Sequence, residues 1–175
     1  KQILMSLHNY LKNSLKLSPE RIKHVQEMGQ NAEALFQELT NATKTDTKED
    51  KEHIDFIWQG RKIDVKGMKR SHEYGFILVE MQNRWGYHGW CAKQSKAEFV
   101  AFLFPEGFHV FDKNKLRSRT LDLCEPYDGS VHRQMGVMCH EMPNIWLGRP
   151  YAQDIFTYIR LSDCEDLILA TIPVS

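Results

Sequence analysis

Residues 53–67 read HIDFIWQGRKIDVKG, and this stretch decides the fold. Ile54, Phe56 and Trp58 alternate with His53, Asp55 and Ile57. After Gln59-Gly60, Ile63 and Val65 alternate with Lys62, Asp64 and Lys66. A period of two on both sides of a glycine-containing pair predicts two antiparallel strands joined by a two-residue turn. The turn sets the register: Trp58 opposes Arg61, Ile57 opposes Lys62, Phe56 opposes Ile63 and Asp55 opposes Asp64. Directly opposed residues share a face of the sheet. One face therefore shows Ile54, Phe56, Trp58, Ile63 and Val65, with Arg61 at its edge, and belongs in a core. The other shows His53, Asp55, Lys62, Asp64 and Lys66.

Opposed carboxylates repel, so a sheet gains no stability from the Asp55–Asp64 pairing. A divalent cation between them converts repulsion into binding. An oxygen-only donor set suits a hard ion, Mg2+ or Mn2+. Lys66 is then placed to hold or deprotonate a water, or to stabilise charge on a phosphate. The competing reading is a solvated polar strand face on which Lys66 neutralises the acids. A one-residue slip in the turn would send the acids to opposite faces and end the chemistry.

Upstream, Ile3, Leu4, Leu7, Leu11 and Leu15 predict a helix over 3–17, and Ser18-Pro19-Glu20 starts a second one running to about Leu39. Residues 40–52, TNATKTDTKEDKE, carry no large apolar side chain and read as a solvated loop. Downstream, strands are expected over Phe76–Met81, Phe99–Phe104 and Phe108–Phe111, with a helix start or turn at Asp112–Lys115. Ala152–Arg160 and Asp163–Thr171 read as helical. This order predicts an α/β fold, one mixed sheet flanked by helices. The whole chain, 1–175, is read as a single domain with its core at about 20–119, an N-terminal helix in 1–18 and a C-terminal extension in 120–175.

The 175 residues are 42% apolar and 26% charged, which excludes a disordered or fibrous chain. No apolar run approaches the roughly 18 residues of a membrane span, and the first residues lack a secretory pattern. Cys91, Cys124, Cys139 and Cys164 form no C-x-x-C pair and fit four reduced thiols. A cytoplasmic or nucleoid-associated protein is expected. The zero net charge conceals an asymmetry: residues 60–119 hold 12 basic against 6 acidic side chains, and residues 120–175 hold 3 against 8. A basic middle suggests a surface built for an anion. No G-x-x-x-x-G-K-[ST], G-x-G-x-x-G or G-x-S-x-G motif is present. Cys124, His132, Cys139 and His140 match no common zinc spacing.

The 53–67 stretch resembles the core of the PD-(D/E)xK, or restriction-endonuclease-like, nuclease superfamily. Asp55 matches the family's first Asp, and Asp64-Val65-Lys66 matches its Asp/Glu-x-Lys element. Ile54 stands where the family usually has Pro. Gly29-Gln30-Asn31-Ala32-Glu33 resembles the upstream helical element and makes Glu33 the further acid, with Glu27 and Glu38 competing. Glu80 and Gln82 are candidates for the family's polar residue on the third strand. The resemblance spans about 20–119 and rests on about a dozen positions. It implies a restriction-endonuclease-like fold and Mg2+-dependent phosphodiester hydrolysis, with DNA as first substrate and 5′-phosphate products. Glu33, Asp55, Asp64 and the Val65 carbonyl would hold the metal, and Lys66 and Gln82 would join the catalytic group. A homodimer cutting two strands is an assembly that such a family allows.

Lys69, Arg70, Arg84 and Lys93 are the candidate phosphate contacts, because each neutralised phosphate releases counterions. Trp85, Tyr87 and Trp90 lie among them and offer rings to unpaired bases, although a structural loop with buried Trp explains them equally. Asp154, Asp163, Glu165 and Asp166 read first as a solvated acidic helix, with mimicry of nucleic acid and contact with a partner as the alternatives. Arg149 is left between a site role and an interface role. The alternative to an endonuclease is a non-catalytic nucleic-acid-binding or interaction module on the same fold.

Overall fold

A computed structural model describes residues 31–46, 52–126, 130–134 and 136–174. The helix expected over 3–17, the first part of the second helix, and Gly29-Gln30 lie outside them. What is described of that second helix, α1 over residues 31–40, buries Ala32 and Phe36 at the expected i, i+4 spacing.

The chain forms a mixed α/β fold with two sheets. The larger contains β1 (Thr43–Lys44), β2 (Phe56–Trp58), β3 (Arg61–Lys66), β5 (Phe99–Phe104), β6 (Gly107–Asp112) and β10 (Ile168–Pro173), in the spatial order β1-β2-β3-β5-β6-β10. The smaller contains β4 (Phe76–Gln82), β7 (His132–Arg133), β8 (Leu147–Gly148) and β9 (Ile155–Arg160), in the order β4-β9-β8-β7. The one-turn helix α2 (Arg70–Glu73) follows β3, and α3 (Lys113–Leu123) follows β6.

The hairpin register is the expected one, with Phe56, Ile57 and Trp58 opposite Ile63, Lys62 and Arg61. Gln59 and Gly60 have φ of 50° and 74°. Positive φ at both central residues is the type I′ geometry that matches the twist of a two-residue hairpin. Beyond it, β3 pairs in parallel with β5, and β5 pairs antiparallel with β6. The larger sheet is therefore mixed and covered on both faces. Phe56, Ile63, Val65, Ala101, Leu103, Phe108 and Val110 pack against Ala32 and Phe36 of α1. Val100, Phe102, Phe104 and Phe111 of the opposite face pack against Ile77 and Val79 of β4, Ile159 of β9, Trp146 and Leu116 of α3. The layers run α1, large sheet, small sheet with α3.

Four expectations change. A single sheet was expected, but β4 leaves the large sheet: α2 and Gly75, at φ 73°, turn the chain out of its plane, and β5 takes the place beside β3. Residues 152–160 are not helical but end in the strand β9, whose Ile155, Phe156, Thr157, Tyr158 and Ile159 are β-branched or aromatic. Residues 163–171 hold a 3-10 turn and most of β10, where burial alternates from one residue to the next. The 40–52 loop contributes the short edge strand β1. Asp112 does start a helix, its Oδ1 accepting from the Lys115 N–H at 2.9 Å.

Among the described residues no helix is long and apolar enough to cross a membrane. All four cysteines are free and buried. Burial pushes the thiols of Cys91 and Cys164 up to about 12, so they are poor nucleophiles at neutral pH.

Candidate active site

The two acids on the polar face of the hairpin are buried, which is the first unusual feature of the site. Asp55 is 8% exposed and Asp64 2%. Thr45 holds the backbone in place: its N–H donates to the Asp55 carbonyl at 3.0 Å, and its hydroxyl donates to the carbonyls of Ile54 and Asp55. The Asp55 N–H donates to the Ile63 carbonyl at 3.0 Å, and Asp55 Oδ2 accepts from the Val65 N–H at 2.7 Å. The carboxylate thus takes a ladder position that a backbone carbonyl would otherwise fill.

Lys66 Nζ lies 2.8 Å from Asp64 Oδ2, with 22% of the lysine side chain exposed. Burial pushes Asp55 up to about 7, and the Asp64 charge beside it adds to the effect. Asp64 is also raised, first by burial, although Lys66 opposes this. Burial pulls Lys66 down, but Asp64 and then Asp55 and Glu80 outweigh it and leave the ammonium raised. Both acids are thus held above the ordinary carboxylate range, and the pair titrates as a coupled unit beside the Lys66 ammonium.

Two residues on the site's rim carry signals that the sequence reading weighed lightly. His53 adopts φ 61°. Its Nε2 contacts the His88 carbonyl at 3.1 Å, and its Nδ1 faces Asp64 Oδ2 at 4.0 Å. Donation from Nε2 leaves Nδ1 as a free lone pair directed at the acids. Burial and then Lys66 lower its pKa and keep the ring neutral. The Glu80 charge on β4 adds to the rise of Lys66 and opposes, without reversing, the fall of His53 and Lys69. The β4–β9 ladder shifts register between Glu80 and Gln82, as bulges do where side chains are re-aimed. Gln82 points elsewhere, its amide donating to the Gln153 carbonyl at 2.5 Å. A charge at Glu80, near enough to act on Lys66 and His53, was the recoverable signal.

Glu33 lies on α1, with Oε2 3.2 Å from Lys44 Nζ. Its charge reaches Asp64 and raises it. Among the described residues no three His, Cys, Asp or Glu side chains gather into a metal-holding group, so Glu33 does not close a triad with the two aspartates. Cys124, His132, Cys139 and His140 do not gather either. Two carboxylates nonetheless match Mg2+, which keeps several waters and takes one or two carboxylates besides substrate phosphates. They do not match zinc, which asks for three or four protein donors.

The candidate phosphate contacts are spread. Lys69 is exposed by surface area, yet protein atoms crowd its ammonium and lower its pKa, with Lys66 adding to the effect. Arg70 lies 6.0 Å from the Tyr74 ring, and Arg84 lies 4.9 Å from that of Trp85. Lys93 sits with Arg61 and Lys96 around a pocket of about 310 Å³ at the turn end of the hairpin. Asp154 does not solvate a helix: it is 2% exposed and accepts from the Arg149 N–H at 2.9 Å and Nε at 2.5 Å. Arg149 in turn lowers Lys69. Asp166 pairs with Arg119 at 2.8 Å.

Comparison of the chain with protein-family models, with curated proteins and with solved structures finds no match in any of the three.

Proposed function

We propose that the protein is an Mg2+-dependent nuclease of restriction-endonuclease-like type, acting on DNA. The observation that carries this reading is the burial of two opposed aspartates against one lysine on a single hairpin face. Burial and mutual repulsion make that arrangement costly for folding, which is the usual mark of groups retained for chemistry.

In this reading Asp55 and Asp64 hold the ion, with the Val65 carbonyl as the backbone donor and Glu33 acting from α1 through its field. The ion supplies Lewis acidity at the scissile phosphate and a bound water acidic enough to ionise near neutral pH. The Val65 N–H fixes the Asp55 carboxylate so that it needs no reorganisation when the phosphate arrives. Lys66 keeps Asp64 oriented, and its exposed fraction faces the incoming phosphate, where it stabilises the extra negative charge of the transition state. The neutral His53 offers Nδ1 to a water at the rim. Glu80 offsets the positive charge of Lys66 and Lys69, and Asp154 that of Arg149, so that this edge is not uniformly cationic.

One observation favours a second reading. Lys66 already neutralises Asp64 at 2.8 Å, so the trio also works as a buried ion-pair group in a non-catalytic binding module. Plasmid and branched-duplex cleavage with Mg2+, with Mn2+ and with EDTA separates the two. The nuclease reading expects metal-dependent cutting that Asp64→Ala abolishes while DNA binding persists. Cutting that survives in Asp64→Ala refutes the assignment. Binding without cutting by the intact protein supports the second reading.

A further inference from the structure

The three most exposed aromatic side chains among the described residues are Tyr151 at 97%, Tyr87 at 71% and Trp85 at 68%. All three sit on two loops, 83–88 after β4 and 149–153 before β9. Rings left in water contribute nothing to a core, and grouped ones mark an interaction surface.

The backbone beneath them is organised. Asn83 Oδ1 accepts from the N–H groups of Trp85 and Tyr87 at 2.9 and 3.1 Å. The Asn83 N–H donates to the Tyr87 carbonyl at 2.8 Å. The loops are also tied together: the Gln153 N–H donates to the Arg84 carbonyl at 3.1 Å, and the Gln82 amide donates to the Gln153 carbonyl. Gly86 takes a left-handed φ of 85°, a backbone conformation that side-chain-bearing residues rarely adopt, in the turn between Trp85 and Tyr87. A surface fixed before binding loses little order when a ligand arrives.

Charge says what ligand suits it. Arg84 lies over the Trp85 ring, and buried Asp154 fixes Arg149, whose charge reaches Lys69 beside the site. Rings interleaved with guanidinium groups match a chain that alternates flat bases with phosphates. Bases in a duplex are already stacked on one another and cannot lie on these rings, so the match is to an unpaired strand. The loop is anchored at the candidate site, since the His88 carbonyl receives His53.

We propose that loops 83–88 and 149–153 form a stacking platform for single-stranded nucleic acid, which delivers an unpaired strand to the Asp55–Asp64 pair. The delivery step rests on the nuclease reading; the platform does not.

The test measures binding by the full chain in EDTA, where metal-dependent cutting is silent. Fluorescence anisotropy of labelled oligo-dT is compared with that of a blunt duplex of equal length, alongside quenching of tryptophan emission. The platform expects tighter binding of oligo-dT, with quenching that Trp85→Ala removes. Trp85→Ala and Tyr151→Ala each weaken oligo-dT binding roughly tenfold, with unchanged urea midpoints because both rings are exposed. Trp85→Phe keeps most of the affinity. Equal affinity for duplex, wild-type affinity in both alanine variants, or no binding of either nucleic acid overturns the proposal. Cleavage assays with Asp64→Ala judge the nuclease reading separately, so either can fail while the other stands.

Discussion

Asp55→Asn should make the protein more stable, and increasingly so as pH rises. Asn keeps a carbonyl oxygen for the Val65 N–H but carries no charge to bury. In the wild type, the carboxyl is held at about 7 in the folded chain against an ordinary 3.8. A carboxyl raised by folding gives its full stability below pH 3.8, where both states are protonated. That stability is lost as pH climbs, because the unfolded chain releases its proton first, and the loss is complete once pH passes about 7. Each pH unit within this window costs about 1.4 kcal/mol, so the ceiling is about 4 kcal/mol. Between pH 5 and pH 8 the advantage of Asp55→Asn should grow by about 2–3 kcal/mol. Urea unfolding in EDTA at the two pH values measures it directly. An advantage that is flat or shrinks with pH would refute the claim that burial and Asp64 hold this carboxyl up. A variant less stable at pH 8 would do the same.

Three further outcomes follow from the same geometry. Mg2+ binding should displace the proton held by the aspartate pair, so calorimetry in buffers of different ionisation enthalpy should show proton release below pH 7 that fades above it. Lys66→Met leaves Asp64 buried without its counter-ion and should cost about 2–3 kcal/mol at pH 8, less at pH 5, by urea unfolding; partial exposure of the ammonium keeps this below the full buried-pair penalty. His72 is 2% exposed, donates from Nδ1 to the Leu103 carbonyl at 2.7 Å and stacks on Phe104. Burial depresses it to about 3, so its contribution is present above pH 6.5 and lost as pH falls; His72→Phe should remove roughly 1.5–2 kcal/mol of acid sensitivity between pH 6.5 and 5.

The hairpin was legible because every signal in it agreed. Alternation, a turn pair able to take positive φ and opposed apolar residues all give one register, and that register alone brings Asp55 to Asp64. Strands β5 and β6 were legible as apolar runs around Pro105-Glu106-Gly107. The 155–160 segment was misread because Ala152, Gln153 and Asp154 lead into it with helix-compatible residues, while Phe156, Thr157 and Tyr158 favour a strand. The destination of β4 was not legible. Its partner β9 lies more than seventy residues downstream, and no local pattern in Phe76–Gln82 distinguishes one sheet from another. The same distance hid the burial of Asp154, whose partner Arg149 is close in sequence but whose cover comes from tertiary packing. Glu80 escaped selection over Gln82 because a bulge, rather than strand alternation, decides which of them looks toward the hairpin.

The ordering of strands constrains how the chain reaches this state. The β6 edge is covered by β10 at residues 168–173, and β4 waits for β9 at residues 155–160. Until residues 155–173 are in place, β4 is an unpaired strand and the β6 side of the larger sheet is an open edge. Such edges invite pairing with neighbouring polypeptides. Closure of both layers is therefore expected to be concerted, with residues 155–173 as the closing step, and deleting that segment should show itself as aggregation well before it shows itself as altered chemistry.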